Sequence, residues 1–194
     1  MVEMAIALPL LLVLTLGFVD FGYAFYQWNA ADKAVQVGAR LASISNPIAS
    51  ALSSAVSTLP GGKSPGDTVA AGTYDFTCTA NSSGTASCTS CVAGTCSSTT
   101  AVQANFDLIY SGDANRPGMA SFLPNLLKSE VQIEYVATGL DFWTRPDGPI
   151  PTIKVSIVNH PFQFFFLGGL LNFANITMPD MHSTVTGEDL STTY

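Results

Sequence analysis

An α+β fold is what this sequence predicts, with one long N-terminal helix lying on a small antiparallel sheet and short extra helices beside it. Three observations predict it. From Glu3 to Asp20 no residue between them is charged, and the apolar run Met4–Val19 continues into Phe21, Tyr23, Phe25, Tyr26 and Trp28. Beyond that run Phe21, Phe25, Trp28, Ala31, Val35, Gly38 and Ala42 recur at helical spacing, while Asp32, Lys33, Gln36 and Arg40 fall elsewhere. Late in the chain, Glu130–Thr138 and Thr152–Asn159 alternate apolar and polar residues as half-buried strands do.

The helix is expected over Val2–Ser45 with two jobs. Met4 to Tyr26 covers roughly 33 Å at about 1.5 Å per residue, enough to cross a hydrocarbon layer of roughly 30 Å, and its aromatic end resembles an interfacial belt. A secretory signal would carry Lys or Arg ahead of the apolar run and a small-residue cleavage site after it, and only Met1 and Val2 precede Glu3. The division is expected near Trp28: residues 1–28 as an apolar membrane-spanning segment, and residues 29–194 as one globular domain. Up to about Tyr26 the helix is expected to meet only lipid or the same helix of other subunits. Val35, Gly38, Ala39 and Ala42 are expected to pack under the chain's own sheet.

Asn46-Pro47 marks the helix end, because proline disfavours helical geometry in the residue before it, and a short second helix is expected over Pro47–Thr58 with Asn46 as its cap. Lys63–Gly72 reads as a loop and Thr73–Thr79 as a strand with Tyr74, Phe76 and Cys78 on one face. Thr99–Tyr110 and Pro117–Leu127 read as helices around a turn at Ser111–Gly118. Ile176–Leu190 should add a third strand, which Pro179 confines to an edge or a late start. Between them, Phe162, Phe164, Phe165, Phe166, Leu167 and Leu170 crowd a segment too interrupted by polar residues to cross a membrane. Phe162 and Phe164 are assigned to the core, and part of Phe165–Leu171 to a membrane-proximal or intersubunit surface.

Residues 77–100 read as a polar loop of Ser, Thr, Ala and Gly that contains Cys78, Cys88, Cys91 and Cys96. An even cysteine count in an exported segment with little apolar surface points to disulfides. Three pairings are open, and Cys78–Cys88 with Cys91–Cys96 is favoured because each closes a short local loop. Four thiolates also suit zinc, and Cys88-Thr89-Ser90-Cys91 has redox-motif spacing, but no charged second shell or strand-to-helix context accompanies them. Asn81-Ser82-Ser83 and Asn175-Ile176-Thr177 match a glycosylation acceptor pattern.

Val2-Glu3, Pro9, the triplet Asp20-Phe21-Gly22 and the triplet Gly38-Ala39-Arg40, in that order on one helix, resemble the TadE-like proteins of tight-adherence pilus systems, which are relatives of type IV pilins. The resemblance covers residues 2–42, with a weaker continuation in Val131–Tyr135, Ile153–His160 and Ser183–Glu188. It implies that Glu3 is the glutamate that follows a prepilin peptidase cut, so that the leader and about two mature residues precede this numbering. It further implies assembly through Glu3, Pro9, Asp20, Phe21 and Gly22. The implied partners are copies of the chain or other pilins through their N-terminal helices, the inner membrane before assembly, and the prepilin peptidase and pilus machinery.

Composition narrows the remaining classes. With 47% hydrophobic residues, 11% charged and a net charge of −7, the chain lacks the basic clusters that phosphate binding needs, so no nucleic-acid partner is expected. His160 and His182 stand in no metal-ligand or catalytic pattern, and Gly61-Gly62 and Gly168-Gly169 lack a phosphate-loop context. Asp141 and Asp147 are too isolated for a calcium loop. No enzymatic activity, cofactor or metal is expected. Two classes stay open: a pilin-like subunit inserted in the inner membrane and then assembled into an extracellular filament, and a membrane-anchored periplasmic module that does not polymerise.

Overall fold

The computed structural model describes residues 2–146, 148–166, 168, 176–187 and 190. One helix, α1 (Val2–Ser43), runs through Pro9 without ending. Its C-terminal half lies across a six-stranded antiparallel sheet in the order β3-β2-β1-β4-β5-β6. The strands are β1 (Asp75–Ala80), β2 (Ala86–Val92), β3 (Thr95–Thr99), β4 (Val131–Val136), β5 (Thr152–Ile157) and β6 (Met181–Thr186), and a short helix α2 (Gln103–Ser111) follows β3. The fold is α+β, as expected, and its sheet adds β2 and β3 to the four strands foreseen.

The alternation in β4 and β5 puts Val131, Ile133 and Tyr135, then Ile153, Val155 and Ile157, on the face that α1 covers. On α1, Ala31, Ala34, Val35, Ala39 and Ala42 are buried against this sheet, chiefly β5 and β6. Small residues allow that approach. A Cβ added at Gly38 would stand 2.6 Å from the Met119 sulfur and 3.1 Å from Val155 Cγ1. Tyr135, wholly enclosed, receives the Ile48 amide proton on its hydroxyl oxygen at 3.3 Å, and burial pushes its phenol well above the usual range. The β6 strand begins at Met181, after Pro179, and takes an edge of the sheet.

Three expectations need correction. Residues 77–100 are not a loop: they form the end of β1 and the hairpin β2–β3, joined by Ala93-Gly94 with both residues at positive φ. Such a two-residue turn matches strand twist, and Ser and Thr on a pleated surface need no apolar alternation to pair. The four cysteines bond as Cys78–Cys88 and Cys91–Cys96, each joining directly opposed residues of neighbouring strands.

The second correction concerns Pro47–Thr58. It contains only a 3-10 helix, Ser50–Ser54, because Ala49 pairs with Ala101 in an isolated bridge. Third, Pro117–Leu127 is not a helix but a 3-10 turn, Met119–Ser121, followed by irregular chain. Pro124 offers no N–H and clashes with a preceding helical carbonyl, and Asn125 then sits at φ 64°. Met119, Leu123 and Leu126 still turn inward, whereas Leu127 faces solvent.

Candidate functional site

The exposed residues of α1 mark one end of the molecule. From Met4 to Leu14 the described side chains lie outside the domain, and this is the one helix among the described residues long and apolar enough to cross a membrane. Contact with the rest of the chain begins at Gly17 and Asp20 and continues through Ala24, Gln27, Ala30, Ala31 and Ala34 at three- and four-residue steps. This inward stripe is small or polar. Phe21 and Phe25 are mostly exposed and Trp28 partly so.

A strap from the far end of the sequence covers that stripe. After β5 the chain passes His160, whose Nδ1 lies 2.7 Å from Glu130 Oε2 in a buried pair. Phe162 N–H donates to the Ile176 carbonyl, and the Met178 N–H donates to the His160 carbonyl, so residues 160–162 are held against 176–178. The strap then follows α1 toward its N-terminus. Gln27 Nε2–H donates to the Gln163 carbonyl and Gln163 N–H donates back to Gln27 Oε1, both at 3.0 Å. About 10 Å further along the helix, the Asp20 carboxylate accepts the N–H groups of Phe165 and Phe166 at 3.0 and 2.9 Å. Asp20 is completely buried there.

A charge removed from solvent is stable only with strong partners, and two backbone N–H groups aimed at the two carboxylate oxygens supply charge-assisted hydrogen bonds. Tyr23 packs on Phe165 with ring centroids 4.8 Å apart. On the other side of the strap, Phe21, Phe25, Trp28, Phe162, Phe164 and Ile176 line an open apolar groove of about 480 Å³. The expectation that the helix up to Tyr26 meets only lipid or other subunits is therefore corrected, since the chain's own contacts reach Asp20.

The predicted assembly residues do not converge. Glu3 and Asp20 are about 26 Å apart along the helix by its rise, and Pro9 lies between them on the exposed half. Phe21 forms a wall of the groove, while a Cβ at Gly22 would meet nothing, so Gly22 faces outward. Gln27 and Gln163 escaped sequence reading. The signal was present as Gly17, Asp20, Ala24, Gln27, Ala31 and Ala34, a helical stripe of small or polar residues through an aromatic stretch. Of the surface expected over Phe165–Leu171, Phe165 and Phe166 are exposed, and Leu167 and 169–171 lie outside the described residues. Asp147 also lies outside them. Asp141 is buried, accepting the Tyr74 hydroxyl at 3.1 Å. Among the described residues no group of three or more His, Cys, Asp or Glu could hold a metal ion.

No curated protein and no solved structure matches this chain. The family model that matches is the one described as TadE-like protein, over residues 1–40, which include every α1 residue of the strap contact as well as the exposed apolar half. The apolar helix and this match fit a membrane-anchored, pilin-like subunit.

Proposed function

We propose that this chain is a structural subunit of an extracellular filament of the tight-adherence type, inserted first in the inner membrane through α1 and then assembled through the same helix. The observation that carries the reading is the exposed half of α1. Its apolar side chains from Met4 to Leu14 are exposed among the described residues, and a surface of that extent calls for lipid or other subunits. The partners are other copies or related pilins, with a prepilin peptidase and pilus machinery acting before and during assembly. The role is structural, not enzymatic, with residues 1–28 as the shared membrane and filament-core segment and the rest as the exposed domain.

In this reading Glu3 drives assembly. Its carboxylate pairs with the N-terminal amine of a neighbouring subunit as both enter the apolar filament core, and Pro9, Phe21 and Gly22 shape the helix surface that neighbours meet. Breaking one member of a buried ion pair costs roughly 3–5 kcal/mol. In cells, Glu3→Ala should leave the chain made and inserted but missing from sheared surface filaments. Normal filament yield from that variant would remove the assembly role. If no regular filament containing the chain is found even for the unmodified protein, the non-polymerising membrane-anchored module becomes the better reading.

A further inference from the structure

The strap Phe162–Phe166 does more than close the domain. It descends along α1 with its polar residue uppermost: Gln163 is paired with Gln27, and the side chains of Phe165 and Phe166 are exposed beside Asp20. Asp20 ends the charge-free run that starts at Met4, about 24 Å away by rise, which is within a hydrocarbon layer of roughly 30 Å. A strap bound at that level therefore reaches the depth of the membrane.

Irregular backbone is excluded from lipid unless its polar groups are satisfied by protein. Here the N–H groups of Phe162, Gln163, Phe165 and Phe166 all have acceptors, and Asp20 and Gln27 supply three of the four. The surroundings agree, because Phe18, Val19, Phe21 and Phe25 cover the rest of the helix circumference at the same level with exposed apolar side chains. Phe165 and Phe166 on the strap and these helix residues are thus exposed apolar side chains at one level.

On the reading of α1 as a membrane anchor, we propose that Phe165 and Phe166 enter the bilayer beside α1 and contact lipid acyl chains, with Asp20 as the positioning residue that makes their backbone compatible with that depth. The subunit is thereby held by two adjoining elements, a helix and a strap, which fixes the domain's orientation over the membrane.

The test uses the full chain reconstituted in phosphatidylethanolamine/phosphatidylglycerol vesicles, with photoreactive benzoylphenylalanine in place of Phe165 and, separately, of Leu11. Adducts are identified by mass spectrometry. Lipid adducts at both positions are expected. In Asp20→Ala the adduct at position 165 should be mostly lost while that at position 11 stays, and Asp20→Asn, which keeps one acceptor oxygen, should restore part of it. A lipid adduct at 11 with none at 165, or with cross-linking of 165 to a second copy, overturns the proposal and leaves the anchor intact. No lipid adduct at position 11 defeats the anchor reading itself, and the proposal with it. An unchanged adduct at 165 in Asp20→Ala, with both disulfides still formed, removes Asp20 from the role given to it.

Discussion

The two halves of the sheet share a pairing pattern and differ in what holds them. In β4–β5–β6, Ile133, Tyr135, Ile153 and Val155 are completely buried, with α1 lying over β5 and β6. In the hairpin β2–β3, most residues are exposed, and only Cys88 is deeply buried. Burial at roughly 25 cal/mol per Å² stabilises the first half. In the second, apolar area is scarce and cross-links restrict the unfolded chain instead. The cross-links are also divided between faces. Cys78–Cys88 lies on the core face with Phe76 and Ala80, whereas Cys91 and Cys96, an odd number of residues from Cys88 on β2 and across from it on β3, bridge the opposite face. A protein can thus extend a sheet past its own core, provided the extension is tied covalently.

The sharpest way to break this contrast is to truncate one side chain in each half. Ile133→Ala should lose about 2–5 kcal/mol of unfolding free energy, the usual cost of emptying a closed core site. Ser97→Ala, on exposed β3, should stay within about 0.5 kcal/mol of the parent. Denaturant melts of the full chain in detergent would measure both, and equal losses would mean that the hairpin is held by packing after all.

Next in size is the covalent half of the comparison. Loops closed over sequence separations of 10 and 5 residues correspond to about 2–3 kcal/mol each by chain entropy. The paired change Cys78→Ala with Cys88→Ala should cost more than Cys91→Ala with Cys96→Ala, because only the first pair lies in the core. Alkylation without reductant followed by intact-mass measurement should find no free thiol in the parent. If the Cys91–Cys96 variant proves the less stable of the two, core position is not what ranks them.

The third prediction concerns the helix that makes the first half possible. Gly38→Leu places a side chain where Met119 and Val155 already stand, and overpacking of this kind costs about 1–3 kcal/mol. Gly22→Leu, where a Cβ meets nothing, should leave the melt unchanged and act only through the membrane or assembly. A Gly38→Leu protein that melts like its parent would show that α1 does not press on β5 as described.

What the sequence disclosed follows the same division. Strands β4 and β5 were legible because one face is buried and alternation records it, and Pro179 correctly delayed β6. Strands β2 and β3 were not, since a sheet extended beyond the core leaves no apolar period; only the cysteines marked the place. Pro124 was the overlooked breaker within an apparently helical run. At the membrane end, Asp20 stood out as a charge in an apolar helix, but its partners are backbone N–H groups 145 and 146 residues away, which no local pattern encodes.

The smallest effect lies on the polar face of the sheet, where β1 meets β4. Burial, and then the nearby Glu134 carboxylate, hold the Asp75 carboxyl above its ordinary value. Lys154 lies 3.2 Å from Glu134 and offsets part of that local negative charge. Because the native state holds the Asp75 proton more tightly than the unfolded chain does, ionising it costs stability. That cost is absent below the unfolded value of about 3.9, grows as pH rises through the higher folded value, and is complete at neutral pH. Asp75→Asn should therefore be slightly more stable than the parent at pH 7, by about 0.5 kcal/mol or less at so exposed a site. The advantage should vanish in melts near pH 3, where both chains are neutral at position 75. An Asn variant that is less stable at pH 7, or one whose advantage grows on acidification, would show that the Asp75 carboxylate supports the β1–β4 junction instead of straining it.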